Sequence, residues 1–335
     1  EVDVIEEILR IYGYNNVDIP HELTSSLSFR QKPDKEKVTN LISEFLIANG
    51  FNEILSNSLT KSEYYKTNEK ELVYIKNPLS KDLNVLRQSM IYNGLETILY
   101  NQNRKSSDLR LFEWGNTYFK KELKFLEQSH LTVFLTGAFN LENWNSINQE
   151  SSFYDLKGIV NSIIEKFGFD KLLLEVEDTS SKYLSYGLDY FINKNKLVTF
   201  GKVDNLIQTE FDIDKPVFFA DFNYDTFLKL ITQTKVIYKE VSKFPSVRRD
   251  LALLINKDIN YIQLKDLAFK QDKRILKSMN LFDVYEGKNL PEGKKSYGVS
   301  FSFSDDSKTL TDVQVDAVMD KIIKSFTNNF KAELR

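Results

Sequence analysis

The stretch SVRRDLALLI, residues 246–255, decides the fold of the last part of this chain. It ends in a continuous apolar run, a pattern that is typical of a β-strand. The segment after it, NYIQLKDLAFK at 260–270, has helical spacing, and Asn260 with Gln263 fits a capping box at its start. The chain is therefore expected to pass from a strand into a helix here.

Further segments extend this pattern to the C-terminus. Strands are predicted at 276–287 and 294–305, a helix at 309–326 with Thr311 and Gln314 as its capping box, and a last strand at 331–335. The resulting order, β-α-β-β-α-β, is the ferredoxin-like arrangement. Residues 241–335 are therefore predicted to form a ferredoxin-like domain, a fold that hosts many functions, RNA binding among them.

The charge balance sets this C-terminal segment apart from the rest. From Val241 to Arg335 there are 17 Lys and Arg against 13 Asp and Glu, a balance of +4, whereas the residues before Val241 carry 28 against 35, a balance of −7. A basic excess of this size is a weak indication of a polyanionic partner, because many basic faces are only solvated surface. The charge alone leaves both interpretations open.

Composition limits the chemistry of the whole chain. Its 335 residues, 41% hydrophobic and 28% charged, are typical of a soluble protein of two or three domains. It has no cysteine and only two histidines, His21 and His130, so disulfides and thiolate catalysis are excluded and any metal is expected on oxygen ligands. The lack of a long apolar run or a leader favours a cytoplasmic protein with no membrane partner. Because the sequence starts at Glu1 inside a helical pattern, we expect it to be a piece of a longer polypeptide.

Residues 21–236 show helices that alternate irregularly with strand pairs. Beyond a polar linker, Asp34 is predicted to cap a helix that ends at Gly50, with Ile42 and Phe45 in its apolar stripe. The other predicted segments are helices around 91–99 and 156–164, strands at 50–59, 109–119 and 131–139, a short extended piece at 74–77 and a hairpin across 188–203. This alternation favours an antiparallel sheet flanked by helices over a doubly wound parallel sheet.

Three motifs carry a resemblance to a known family. They are EEILRIYGYNNVDIP at 6–20, NPLSKDLNVLRQSM at 77–90 with LRLFEWGNTY at 109–118, and FPSVRRDLALLI at 244–255. In this order they resemble the signatures of the beta chain of bacterial phenylalanyl-tRNA synthetases, over nearly the whole chain. The resemblance implies that residues 1–20 are the C-terminal helix of a preceding domain. The tRNA-binding module and the editing domain that precede this region in the family would lie outside this sequence.

The resemblance also implies a fold and a function. The fold is α+β: a class II aminoacyl-tRNA synthetase-like antiparallel sheet with flanking helices over 21–236, then a ferredoxin-like (βαββαβ) anticodon-binding domain over 241–335. The implied function is the non-catalytic part of phenylalanine–tRNA ligase, which attaches phenylalanine to tRNA(Phe) with ATP. The implied partner is an alpha chain that binds ATP, in an (alpha-beta)2 heterotetramer.

The middle unit lacks residues that a class II active site needs. Such enzymes hold the ATP phosphates with an arginine shortly after the strand that carries the FE motif, because phosphate oxygens need charged, bidentate donors. Here that strand continues as WGNTYFKKELKFLEQSH, residues 114–130, without an arginine. We therefore expect this unit, and the chain alone, to be catalytically silent. Structural roles, in the sheet or at a subunit contact, are expected for Arg87, Arg104, Glu113 and Trp114.

The opening helix carries three carboxylates, Asp3, Glu6 and Glu7, on one face. The resemblance associates them with magnesium in the complete complex, and Mg²⁺ prefers oxygen ligands. The family's fourth ligand would precede Glu1. The other interpretation is a solvated face near the helix N-terminus, where negative charge is favourable.

Arg248 and Arg249 are the candidate RNA-binding residues. They are adjacent on a predicted strand, so their side chains point to opposite faces and at most one faces the helices. The other interpretation pairs one arginine with Asp250 or Asp283 and leaves the second in solvent. The next candidates are Lys294 and Lys295.

Two other classes of function stay open at this point. One is a standalone RNA-binding or scaffold protein built from these domains, and the other is a ligase that is active without a second chain. Co-purification of a chain with intact ATP-binding motifs separates the subunit interpretation from both. ATP turnover by this chain alone would favour the self-sufficient enzyme.

Overall fold

The computed structural model describes residues 1–19, 22, 33–65, 69–122, 124–140, 143–145, 149–169, 174–234, 236, 238, 240–287 and 290–335. The chain divides into two compact units, Glu1–Val236 and Ile237–Arg335. Across these described ranges, every helix is too short or too polar to span a membrane. The predicted linker at 21–33, with His21, lies almost entirely outside the described residues.

The first unit combines α-helices with long antiparallel strands. Its described helices are α1 Val2–Tyr12, α2 Lys35–Ala48, α3 Ile91–Gln102, α4 Phe153–Lys166, α5 Asn205–Glu210 and α6 Tyr224–Ile231. Its described strands are β1 Asn52–Glu53, β2 Leu59–Thr60, β3 Val73–Tyr74, β4 Val85–Leu86, β5 Leu109–Lys121, β6 Lys124–Thr136, β7 Leu174–Asp178, β8 Leu184–Ile192, β9 Asn195–Val203 and β10 Val217–Asn223.

Helix α2 forms where the sequence predicts it. The Asp34 carboxylate accepts from the backbone N–H groups of residues 36 and 37 at 3.1 and 3.3 Å, which satisfies two donors of the first turn. The helix ends before Gly50, which has a φ of +81°. Ile42 is buried and Phe45 is partly buried against the same core, so the predicted apolar stripe is confirmed.

Both faces of the main sheet of this unit are covered. The strand order is β1-β5-β6-β10-β9-β8-β7, antiparallel except for the β1–β5 pair. Helices α2, α4 and α6 pack on one face around Phe112 and Phe200. Helix α3 and a small sheet of order β2-β4-β3 pack on the other face, around Leu111 and Phe134. The predicted antiparallel sheet with flanking helices is confirmed.

The prediction for this unit differs from the structure at several places, and two of them shape the main sheet. The predicted strand at 50–59 is divided into the short strands β1 and β2. The residues between them leave the sheet because the Ser56 backbone N–H and Oγ bind the Glu113 carboxylate at 3.1 and 2.7 Å. Strand β10, which lies between β6 and β9, is absent from the sequence-based prediction. Its sequence VFFADFN has a continuous apolar run in place of alternation, because it is covered on both faces.

The second unit has the predicted order of elements. It consists of β11 Val247–Asn256, α7 Tyr261–Gln271, β12 Leu276–Tyr285, β13 Lys294–Phe303, α8 Asp312–Phe330 and β14 Glu333–Leu334. The antiparallel strands are arranged β12-β13-β11-β14, and the predicted capping boxes are formed at the starts of α7 and α8. The ferredoxin-like arrangement is confirmed.

Both helices of the second unit pack on the same face of its sheet. Leu253, Ile255, Val299 and Phe301 supply the strand side of this core, and Leu264, Val315, Ile322 and Phe326 supply the helix side. Since side chains alternate along a strand, the intervening residues of β11 and β13 lie on the other face. Within the described part of this unit no helix covers that second face, which we call the open face.

Candidate functional site

The open face carries aromatic and cationic side chains next to a row of small residues. Small side chains run along the central strand β13 as Ser296, Gly298, Ser300 and Ser302. On β12, the Phe282 ring lies over Gly298 of this row and Tyr285 is paired with Ser296; these two residues are 52% and 37% exposed. On the other side, the guanidinium carbon of Arg248 lies 5.7 Å from the centre of the Phe282 ring. Rings of this kind can stack on nucleobases, and the cation can meet phosphate.

A β-bulge positions Phe282. The register of β12 against β13 shifts between Leu281 and Asp283, so Phe282 and Asp283 both lie over Gly298. A Cβ atom at position 298 would be 3.0 Å from the Phe282 ring and 2.9 Å from the Asp283 Cβ. Only glycine therefore permits this close approach of the two strands.

Arg248 and Arg249 lie on opposite faces, as predicted. Arg248 is on the open face, where its Nε and Nη2 donate to the Asp250 carboxylate at 2.7 and 3.2 Å. Arg249 is on the helix side and binds Asp312 and Asp316 of α8 at 2.6 and 3.2 Å. The structure thus places Arg248 beside the Phe282 ring on the open face and keeps Arg249 on the opposite face.

Lys294 and Lys295, the next candidates for RNA binding, are both already engaged within the chain. Lys294 pairs with Glu333 at the edge of the sheet. Lys295 is 6% exposed and its Nζ donates to the Lys257 carbonyl at 2.9 Å, so it is not placed to meet a polyanion. Arg335, which the sequence analysis did not single out, lies with its guanidinium carbon 5.6 Å from the Tyr285 ring. Only pairing of β14 with β11 brings this terminal residue to the open face.

Arg87 and Glu113 of the first unit form a buried ion pair. Their Nη1 and Oε1 atoms are 3.0 Å apart, and the side chains are 2% and 0% exposed. Ser56 Oγ also donates to the carboxylate, and Arg87 Nε donates to the Asn116 carbonyl at 3.0 Å. These contacts compensate both charges and fasten the loop after β1 to β5. The pair has the geometry of a structural group.

The sheet face that bears Glu113 is filled by the chain itself. A Cβ atom at Gly115 would be 2.2 Å from Arg87 Nη2 and 2.3 Å from Met90 Cε. A Cβ atom at Gly94 of α3 would be 2.0 Å from the Phe134 ring. Helix α3 and the segment before it therefore rest directly on the strands. The strand surface over Gly115 is therefore occupied by the side chains of Arg87 and Met90.

Arg104 and Trp114, for which structural roles were also expected, lie away from the Arg87–Glu113 pair. Arg104 is stacked on the ring of Tyr100 at the surface, with its guanidinium carbon 3.4 Å from the ring centre. Trp114 lies on the face of the main sheet that α2, α4 and α6 cover, where its Nε1 donates to Ser43 Oγ at 2.9 Å. The structure therefore does not assemble the four residues into one site.

The contacts of His130 in the first unit were not predicted from the sequence. His130 Nδ1 lies 2.7 Å from Asp221 Oδ1, and its Nε2 lies 2.9 Å from Thr117 Oγ1. Burial acts to lower the pKa of His130, but attraction to the Asp221 carboxylate and the hydrogen bond to it outweigh burial and raise that pKa. Asp221 belongs to β10, 91 residues away, so no local pattern indicated the pair.

The three carboxylates of α1 do not converge on a cation. Within the described ranges, no group of three or more His, Asp or Glu side chains is placed to hold a metal ion. Glu7 instead accepts from Arg10 at 2.9 Å, and α1 has no buried residue. The structure therefore does not gather Asp3, Glu6 and Glu7 into a metal site, and their role in binding magnesium in the complete complex stays a prediction.

Comparisons with known proteins give names to these two units. The family model of the phenylalanyl tRNA synthetase beta chain CLM domain matches residues 19–224, and that of the ferredoxin-fold anticodon binding domain matches residues 242–335. The phenylalanine–tRNA ligase beta subunit of Bacteroides fragilis is 44% identical over all of this chain, and that of Porphyromonas gingivalis is 37% identical. Each of these matches covers 43% of the relative.

A solved pyrrolysyl-tRNA synthetase from Desulfitobacterium hafniense aligns with 60% of this chain and 70% of its own, at a TM-score of 0.46 and 16% identity. The chain spans less than half the length of the curated relatives that it matches. The first family model alone covers more than half of the chain. This chain therefore belongs to the family of phenylalanyl-tRNA synthetase beta chains.

Proposed function

We propose that this chain is the C-terminal, non-catalytic part of a phenylalanine–tRNA ligase beta chain. In this role the second unit binds tRNA(Phe), and the first unit supports an alpha chain that binds ATP and carries out the ligation. The observation that carries the proposal is the open face of a unit whose family is named for anticodon binding, with Phe282, Tyr285 and Arg248 exposed on it.

The chemistry of the open face supports RNA as its partner. Single-stranded bases, such as those of an anticodon loop, are held by stacking on aromatic rings and by cations that meet the phosphates. Phe282 and Tyr285 offer the rings, and Arg248 and Arg335 lie beside them as cations. In the free chain Arg248 forms an ion pair with Asp250, so a phosphate would have to compete with this carboxylate for the guanidinium.

Arg248 and Arg249 form a matched pair for testing this surface. We expect Arg248→Ala to weaken binding of tRNA(Phe) to the 335-residue chain and to make the salt dependence shallower by about one unit. Arg249→Ala removes an equal charge from the helix side and should leave the salt dependence unchanged. Fluorescence anisotropy at two salt concentrations measures both. If the two substitutions have equal effects, or no effect, tRNA contacts a surface other than the open face.

Catalytic silence of this chain is the second part of the proposal. It is supported by the lack of an arginine after β5 and by the side chains of Arg87 and Met90 over Gly115. A class II reaction needs fixed cations on the ATP phosphates as charge develops. We therefore expect no phenylalanine-dependent pyrophosphate exchange from the purified chain. Robust exchange would favour the alternative of a self-sufficient ligase.

An alpha chain is the partner that we propose, in an (alpha-beta)2 heterotetramer located in the cytoplasm. The relatives carry the name beta subunit, which implies a second kind of subunit in those proteins. ATP would bind to the alpha chain, and Mg²⁺ would belong to the complete complex, because Asp3, Glu6 and Glu7 do not form a site on their own. Mixing this chain with a candidate alpha chain tests the assembly. Co-elution in size-exclusion chromatography is the expected result, and separate elution would contradict it.

A further inference from the structure

A cleft of about 440 Å³ opens on the first unit, between α3 and the small sheet β2-β4-β3. It lies on the side of α3 that faces away from the main sheet. Its lining includes Leu59, Lys61, Asp82, Asn93, Glu96 and Tyr100. Asn93, Glu96 and Tyr100 are spaced at i, i+3 and i+7, so one face of α3 forms a wall of the cleft.

Glu96 is the carboxylate in this wall that lacks a cationic partner. Its Oε1 accepts from the Tyr64 hydroxyl at 2.7 Å, and no described residue forms an ion pair with it. Burial, followed by the hydrogen bond and the negative charge of Glu96, raises the pKa of Tyr64 well above its usual value. Tyr64 therefore stays protonated and holds the carboxylate in place. The ring of Tyr64 is itself stacked on Tyr92, with ring centres 4.5 Å apart.

Asn93 adds an independent acceptor at the base of the same wall. Its side chain is almost fully covered, with 4% of the residue exposed. Its Nδ2 donates to the Asn57 carbonyl at 3.2 Å, which fixes the amide, while its Oδ1 has no hydrogen-bond partner among the described residues. A buried amide oxygen without a donor is unfavourable by itself, so it indicates a missing donor group.

Lys61, the cation among the lining residues named above, is already paired with another carboxylate of the cleft. Lys61 Nζ lies 3.6 Å from Asp82 and 5.8 Å from the centre of the Tyr64 ring. It therefore balances Asp82 and leaves the charge of Glu96 uncompensated. At the mouth of the cleft Tyr100 is 57% exposed, and one face of its ring already carries the guanidinium of Arg104.

We propose that this cleft binds a guanidinium or alkylammonium group, with Glu96 as its counter-ion and with Asn93 Oδ1, which is covered in the free chain, as a second acceptor once neighbouring side chains shift to admit the group. A planar guanidinium carries several N–H donors and no acceptor, so it matches a carboxylate beside an amide oxygen. Leu59 also lines the cleft and offers an apolar contact to the methylene stem of such a group. The group can belong to an arginine side chain of a protein partner or to a free small cation.

The test uses the 335-residue chain and two arginine-like probes. Isothermal titration calorimetry compares Nα-acetyl-arginine methylamide, which mimics an arginine in a polypeptide, with agmatine, which mimics a free cation. The control probe is Nα-acetyl-citrulline methylamide, which has the same shape without the charge. We expect it to bind at least roughly tenfold more weakly than the arginine probe. Tighter binding of the arginine probe than of agmatine would indicate a protein partner, and the reverse would indicate a free cation.

Substitutions assign the binding to this cleft. Glu96→Gln keeps an oxygen for the Tyr64 hydroxyl but removes the charge, so we expect it to weaken binding of the arginine probe roughly tenfold. Glu44→Gln, on the exposed side of α2, is the matched control and should change nothing. The proposal is overturned if neither probe binds at roughly 10 mM. It is also overturned if citrulline binds as well as arginine, or if the two substitutions have equal effects.

Discussion

The main sheets of the two units differ in what covers their second face. In the first unit, α2, α4 and α6 cover one face, and α3 with the small sheet covers the other. On this second face the Met90 side chain lies directly over Gly115. In the second unit, α7 and α8 cover one face and the other presents Arg248 and Phe282. A sheet that is covered twice has no strand surface left for a ligand, whereas a sheet that is covered once keeps one. We infer that the first sheet serves as a support and the second as a binding surface.

The largest effect is expected from the buried ion pair that fills the first sheet. Arg87→Met leaves Glu113 charged and buried without its partner, which should lower the free energy of unfolding by about 3–5 kcal/mol. Denaturant unfolding followed by the fluorescence of Trp114 in β5 measures it. The matched control is Lys215→Met, which breaks a pair of similar length with Asp108 at the surface and should cost about 0–1 kcal/mol. Similar losses for both would mean that the second face is not a tight core.

The next effect concerns the face of the same sheet that α2, α4 and α6 cover. Ile42→Ala should cost about 2–5 kcal/mol, because the side chain is 1% exposed in the core of α2. Phe45→Ala should cost less, since Phe45 is only partly buried. Chemical denaturation of the two variants gives the values. Losses below about 0.5 kcal/mol at both positions would show that α2 does not pack as described.

The third effect tests the open face through binding. Phe282→Ala should weaken binding of tRNA(Phe) by about 1–3 kcal/mol if the ring stacks on a base. It should change the stability of the second unit little, because the ring is half exposed. Phe125→Ala removes an equally large, 70% exposed ring from the β6 end of the first unit and serves as the control. Filter binding of labelled tRNA measures both, and equal affinities would remove stacking on Phe282 from the proposal.

The smallest effect is a dependence of stability on pH. The folded chain raises the pKa of His130 above its usual value of about 6.5, through Asp221. The stabilisation is therefore complete below the unfolded-state pKa and is lost as the pH rises through the folded-state pKa. We expect the unfolding midpoint of the first unit to decrease as the pH rises above about 6.5 in the parent chain. The His130→Gln variant should lose this slope, and an unchanged slope would assign it to other groups.

The sequence predicted those parts of the fold that depend on local interactions. The capping boxes at Asn260 and Thr311, the Asp34 cap and the stop at Gly50 are all formed by residues within a few positions of one another. The β-α-β-β-α-β order of the second unit follows from such signals in succession. The opposite directions of Arg248 and Arg249 follow from the alternation of side chains in any strand.

Only the tertiary structure decided which surfaces are available. Asp312 and Asp316 are more than sixty positions from Arg249, and their pairing with it removes one of two equivalent arginines from the open face. Asp221 reaches His130 only because β10 inserts beside β6, and Ser56 leaves its predicted strand because Glu113 lies next to it. The sequence by itself determined the order of the elements and the alternation of the strands, because these depend on neighbours in the chain. The tertiary structure determined which faces are filled and which charges are already paired, because these depend on contacts between distant segments.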